Sequence, residues 1–309
     1  MTRDRNDPGW DPLVGSQPMA GAIGFGNRGS RLLSTGGRRS TVISTLSTVV
    51  FVSVLVAAVF VAPGGPEGIR HQFFSGTNMW RSFVGNNSQG RPGIDTAILL
   101  NIKMFLVAEV LILILALVIA LVRQSVGPVM FPLRLVATMY VDIFRGVPLL
   151  LVIYIIGFGV PSLSMHFIST QTPAVYGTAA LVLSYSAYVS EVYRAGLNSV
   201  HQSQTMAARS LGLTGWTAMR YVVLPQAVRN VIPPLLNDFI SLQKDTALVG
   251  VIGAIEASQA AVIYADSEFN YSSYIVAAIL FLILTIPLAR FTDHVIRKDR
   301  NRRLAGALV

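Results

Sequence analysis

Six stretches of this chain are apolar enough, and nearly all long enough, to lie across a lipid bilayer, and no soluble fold accommodates that many. A span needs about 20 mostly apolar residues. The runs fall at roughly Val42–Ala62, Ile98–Leu121, Pro148–Leu163, Ala174–Ser190, Val231–Ile252 and Tyr274–Leu288. The third and fifth contain Gly, Pro or charge, which is tolerated where neighbouring helices or a water-filled cavity satisfy the freed backbone groups. Only 13% of residues are charged, against about a quarter in soluble domains. The expected fold class is therefore an all-α integral membrane protein of about six transmembrane helices.

The distribution of Lys and Arg gives an orientation. The segments before run one, between runs two and three, between four and five, and after run six carry six, three, four and six of them, nineteen of the 24 in the chain. The first loop on the opposite side holds only Arg70, Arg81 and Arg91. Positive charge stays in the cytoplasm, so both termini are expected there. Residues 1–40, rich in Gly, Arg and Ser without periodicity, read as a disordered cytoplasmic tail. The first transmembrane helix follows at 41–62, then an extracytoplasmic loop at 63–94 carrying "HQFFSGTNMW", a main membrane domain at 95–295, and a basic tail at 296–309. The polar lead is too long for a secretory signal, so the first apolar run is expected to be kept as a helix.

Several classes of function are excluded on residue content. Cysteine is absent, which removes disulfides and thiolate metal sites. His71, His166, His201 and His294 are too scattered for a metal cluster. The net charge of +9 follows from topology and does not imply nucleic acid. A P-loop needs Lys followed by Ser or Thr after a Gly-rich run. Lys103, Lys244 and Lys298 are followed by Met, Asp and Asp, so the chain has no ATPase site and no cofactor of its own is expected.

Between runs four and five, "MAARSLGLTGWTAMRYVVLP" (Met206 to Pro225) interrupts the apolar pattern with two short helices on the cytoplasmic side. Gly212 sits where a left-handed C-terminal cap belongs, and Thr214 can cap a second helix that stops before Pro225. Ala207, Ala208 and Leu211 share one face of the first helix; Trp216, Met219 and Tyr221 give the second a bulky surface. A DNA-binding helix-turn-helix is disfavoured, because the second helix has one basic residue, Arg220, and is tethered at the membrane. The residues alone leave a docking knob and a helix lying on lipid as alternatives.

The stretch from Glu191 to Ser258 resembles permease subunits of ATP-binding-cassette importers for polar amino acids. The family's cytoplasmic EAA-xxx-G loop, followed by a hydrophobic residue, Leu and Pro, is matched at 203–225 by Ala207, Ala208, Gly212, Leu224 and Pro225. Met206 stands where the family usually has Glu, which puts more of the docking on the packing around Ala207, Ala208 and Gly212. "FRGVPLL" (Phe144 to Leu150) and "NDFISLQKDTAL" (Asn237 to Leu248) resemble two further family motifs in the right order. The resemblance implies a type I importer transmembrane fold in a bacterial inner membrane. It also implies partner ATPase subunits that use ATP and Mg, an extracytoplasmic substrate-binding protein, and a second permease, identical or sibling. The helix pair, with Trp216 on it, would then be the ATPase-coupling loop. An ion-coupled secondary transporter is the alternative, although it would need internal repeats that the two halves do not show.

Ionisable groups inside spans are costly and face the bundle interior. In run five, Asp238, Ser241, Lys244 and Asp245 lie within about a third of the helix circumference, and Pro233 and Pro234 are expected to interrupt the helix before them. This face reads either as translocation path or gate, or as an ion pair from Lys244 to a carboxylate. Glu109 has no cationic partner on its own helix. It would contact a substrate ammonium or pair with another helix. Glu191 and Arg194, three apart, are expected to pair.

Overall fold

The computed structural model describes residues 38–61, 64–86, 90–163 and 168–306. Most of the expected N-terminal tail and the last three residues of the C-terminal one lie outside them. The chain divides into two units, one up to Gly65 and one from Pro66 onward. The first contains α1 (Arg38–Val61), a 24-residue helix whose apolar residues are not confined to one face, with Ile43, Leu46, Phe51 and Phe60 all exposed. A helix without a polar face suits lipid on all sides.

The second unit holds everything else. Its first part has two short helices, α2 (Gly65–Phe73) and α3 (Gly76–Val84), and a two-residue hairpin, β1 (Gly85–Asn86) with β2 (Arg91–Pro92) antiparallel. Then come α4 (Ile94–Gln124), α5 (Phe131–Gly146), α6 (Leu149–Tyr154, prolonged by a π turn at Ile155–Gly159 and a last turn at Val160–Ser162) and α7 (Pro173–Asn198). The helix pair follows as α8 (Gln202–Ser210) and α9 (Gly215–Ala218), and a π turn (Met219–Val223) leads into α10 (Leu224–Asp245). A 3-10 segment (Thr246–Ile252), α11 (Ala257–Glu268) and α12 (Ser272–Gly306) complete the chain.

All six apolar runs fall on helical segments. By length and apolarity, α4 and the stretch Ser272–Asp299 of α12 cross a membrane singly among the described residues. Two bent pairs bring the number to four: α5 with Leu149–Ser162, bent by 108°, and Gly215–Ile252 with α11, bent by 49°. Two helices therefore occupy places read from sequence as loops. Helix α5 carries Arg134, Asp142 and Arg145 and is too polar to register as a span. Helix α11 is rich in Ala, Ser and Gln because it packs on protein: Ala257, Ala260 and Ala261 are fully buried against Ile94 and Ala97 of α4 and Ala277 of α12. The described residues of the expected loop, 64–86 and 90–94, are likewise structured. Tyr271 N–H donates to the Gln72 carbonyl (2.8 Å), Asn270 Nδ2 to that of His71 (2.7 Å), and Arg91 pairs with Glu268 at 3.0 Å.

The centre of the bundle is the contact between α4 and α7. Lipid tails are as apolar as Leu, so helices in a bilayer associate through close packing more than through burial of apolar surface. The small residues supply that closeness: Ala108 and Ala116 of α4 and Ala180 and Ala187 of α7 have no exposed surface. Gly177 of α7 lies against Val249 of the 3-10 segment, with no room for even a Cβ. Around them pack Ile112, Ile153, Leu181 and Leu242.

Pro233 and Pro234 do not interrupt α10 as expected. The helix runs through both and ends at Asp245, after which the chain tightens into the 3-10 segment. Each proline removes one backbone N–H, but helical φ is what a proline ring prefers, and packing against α7 and α12 holds the helix together.

Candidate functional site

Two groups of residues carry the chemistry expected from sequence: the helix pair at one end of the bundle, and the polar positions inside it.

The helix pair folds as a closed local unit. The side chain of His201 caps α8, its Nδ1 accepting from Ser203 N–H at 3.2 Å. At the other end Gly212 adopts φ +85°, a left-handed conformation that costs other residues about 1–2 kcal/mol. The turn lets Leu213 N–H reach the Ala208 carbonyl (3.2 Å) and Gly212 N–H reach that of Arg209 (3.0 Å), closing orphan carbonyls of α8. Thr214 Oγ1 then accepts from Thr217 N–H (3.3 Å) and starts α9. Both expected caps are present.

The second helix does not stop before Pro225. Leu224 N–H donates five residues back to the Met219 carbonyl, and helical dihedrals continue from Ala218 through Leu224 into α10. Pro225 falls in the first turn after this π turn, where a missing N–H costs least. The consequence is mechanical. Helix α9 and span α10 form one continuous rod, so a push on the helix pair reaches the membrane interior without crossing a loop.

The pair's two faces differ from the sequence expectation in one respect. Ala208 is buried, as is Ala218 of the second helix, so Ala208 belongs to the pair's own packing. Ala207 is exposed, and beside it Met206 (56% exposed), Leu211 (84%), Trp216 (73%) and Tyr221 (68%) present large apolar surface. Leu224 is also exposed, as is Pro225.

Inside the bundle, Asp238, Ser241 and Asp245 of α10 are all partly buried. Asp245 accepts a hydrogen bond from Tyr185 of α7 at 2.6 Å. Asp238 is close enough to Glu109 of α4 for their charges to interact, and its Oδ2 is buried without a hydrogen-bond partner. Lys244 is exposed and forms no ion pair among the described residues, so the structure does not bring it together with Asp238 or Asp245 within this chain. Glu109 and Asp238 are thus two carboxylates from different helices, neither of which forms an ion pair among the described residues.

Two polar clusters were not legible as sites. Glu191 pairs with Arg194 at 3.0 Å as expected, but also with Arg123 of α4 and, at 3.7 Å, Arg145 of α5. One carboxylate therefore ties three helices together, and Arg145 explains the arginine of "FRGVPLL", whose Gly-Val-Pro makes the 108° bend. The second cluster is wholly buried. Asn101 Nδ2 donates to Glu256 Oε2 (2.9 Å) and Thr246 Oγ1 (3.1 Å), while its Oδ1 accepts from Ala257 N–H (3.0 Å). Glu256 also accepts from the N–H groups of Ser258 (2.9 Å) and Gln259 (2.8 Å), capping α11. Three N–H donors and a helix N-terminus compensate a carboxylate that no water reaches. The one signal for it in sequence was Asn101, a polar residue inside an apolar run.

Comparison with known proteins decides what this architecture is. The family model described as "Binding-protein-dependent transport system inner membrane component" matches residues 125–301, more than half of the chain. The chain belongs to that family. It is a membrane-spanning permease of the ABC transporter class. Over 211 residues it is 34% identical to the arginine transport system permease protein ArtQ of Bacillus subtilis, covering 68% of this chain and 94% of that one. It is 38% identical over 159 residues to the probable glutamine ABC transporter permease protein GlnM of the same organism, covering 51% of this chain and 72% of the relative. A solved amino acid ABC transporter described as crystallised with histidines superposes with a TM-score of 0.61 at 33% identity, covering 66% of this chain and 93% of the other. A methionine ABC transporter at 17% identity, with a TM-score of 0.55, supports the fold alone. Membership carries the type I importer transmembrane fold, and the ion-coupled alternative is not favoured.

Proposed function

We propose that this permease forms the membrane path of an ATP-driven importer for polar amino acids. It would sit in a bacterial inner membrane with both termini in the cytoplasm, beside a second permease. A substrate-binding protein would deliver the amino acid from outside, toward the structured segment at 63–94. Partner ATPase subunits would bind ATP and Mg and receive the helix pair. The reading rests most on one observation: the exposed Met206, Leu211, Trp216 and Tyr221 are mounted on a capped unit continuous with α10. Apolar surface of this size on a rigid lever supports docking to a protein over lying on lipid, because only the former gives the continuity a purpose. Closure of two ATPases would then move two permeases as rigid bodies and alternate access.

Inside the path, Glu109 and Asp238 would receive the ammonium of the passing amino acid, with Ser241 and Asp245 on the same face and Lys244 left to a gating or inter-permease role. Two carboxylates that form no ion pair among the described residues support this reading over a structural ion pair.

The test is to solubilise the complex gently from its native membrane and identify what co-purifies. A stoichiometric P-loop ATPase that is lost with Gly212→Pro or Ala207→Arg, while the permease still inserts, is the expected result. A permease that transports without ATP would overturn the reading.

A further inference from the structure

We infer that the groove between the helix-pair end of α10 and the C-terminal part of α12 holds the phosphate headgroup of an anionic phospholipid. The groove has a volume of about 510 Å³ and is not used by any step proposed above. On α12 it is lined by Phe291, His294, Val295, Lys298 and Asp299, which follow i, i+3, i+4, i+7, i+8 spacing, with Ile296 beside them. On α10 it is lined by Arg229, Ile232 and Pro233, again at i, i+3, i+4.

Three features fit a lipid better than a soluble anion. The first is level: Arg229 lies two positions before the apolar run that begins at Val231, and Phe291 lies three positions beyond the one that ends at Leu288. The groove therefore begins where the hydrocarbon ends and extends outward from it, and the Lys298 side chain, tilted back toward the start of its helix, leans toward that end. The second is charge. Arg229, Lys298 and the imidazole of His294 face one acid, Asp299, at the same opening. Basic pockets between spanning helices on the cytoplasmic side are suited to lipid phosphates. The third is the apolar wall: Ile232 (38% exposed) and Phe291 (59%) offer surface for an acyl chain, which a free phosphate would not use.

The test uses the whole transporter complex in lipid nanodiscs of phosphatidylcholine with a small fraction of phosphatidylglycerol. Lipid retained after detergent release is counted by native mass spectrometry. The intact complex should retain phosphatidylglycerol over phosphatidylcholine. Arg229→Gln with Lys298→Gln should weaken retention about 25-fold, at about fivefold per basic group. The same charge removed outside the groove, by Arg290→Gln with Arg297→Gln, should leave it unchanged. Should the double variant fail to assemble, Lys298→Glu alone, at an exposed position, makes the same comparison. Equal loss in both pairs, or no selective retention in the intact complex, would overturn the inference. Displacement by millimolar inorganic phosphate would reassign the groove to a free anion, and retention appearing only after the ATPase is stripped would show it to be a protein contact. Retention is measured without transport, so its failure leaves the importer reading intact.

Discussion

At the scale of single residues, the positions that matter are those whose chemistry disagrees with their surroundings. Glu109 is a carboxylate among apolar neighbours, and the charge of Asp238 on another helix repels it. If the pair receives a substrate ammonium, Glu109→Gln removes a charge-assisted hydrogen bond worth about 1.5–3 kcal/mol. The expected outcome in uptake assays is a KM raised about tenfold or more, with thermal stability kept or improved because a buried repulsion is relieved. Unchanged uptake with a lower Tm would make Glu109 structural. Gly212 disagrees differently, through its backbone. At φ +85° its replacement by Val should cost the helix pair about 1–2 kcal/mol, whereas Asn, which tolerates the left-handed region, should largely keep ATPase co-purification.

At the scale of elements, much was legible and the exceptions share one cause. Apolar runs located α4 and α12 because those helices face lipid, and the Gly212 and Thr214 caps could be read from residue type alone. What apolarity cannot find is a helix whose neighbours are protein. Helix α5 hides behind Arg134, Asp142 and Arg145, of which Arg145 is met by Glu191 and Arg134 by the Ser125 carbonyl. Helix α11 hides behind alanines chosen for close packing. Pro225 misled for a related reason: proline usually ends a helix, and only the π turn before it lets the rod continue. The Asn101–Glu256 cluster was illegible because its members are more than 150 positions apart. Its value is testable. Asn101→Ala leaves Glu256 short of one of its three donors and the Ala257 N–H unpaired, a loss of about 2–4 kcal/mol. The detergent-solubilised complex should show a Tm lower by several degrees, while ATPase co-purification is retained. A similar fall is expected for Gly177→Val, which forces the α7 backbone away from Val249 at about 1–3 kcal/mol.

At the scale of the whole molecule, the bundle in the unit from Pro66 onward has two ends that are built differently. One end is tied down by hydrogen bonds from Tyr271 N–H and the Asn270 side chain, just before α12, to the Gln72 and His71 carbonyls, which makes a fixed surface. The opposite end presents a lever. The rod from Gly215 to Asp245 has about 31 residues, so at 1.5 Å per residue it spans on the order of 45 Å. It carries Trp216 near one end and Asp238 and Asp245 near the other. If movement is transmitted along this rod, stiffness in its middle is the requirement, and the π turn at Met219–Val223 is the place to remove it. Inserting Gly-Gly between Tyr221 and Val222 keeps every docking side chain and every residue of the path, but lets the two parts move independently. In reconstituted vesicles the expected outcome is ATP hydrolysis and ATPase binding close to the intact complex, with uptake lost. Uptake that survived the insertion would mean that force travels by another route, of which the Glu191 cluster joining α4, α5 and α7 is the nearest. Glu191→Gln would then be the variant to uncouple transport from hydrolysis.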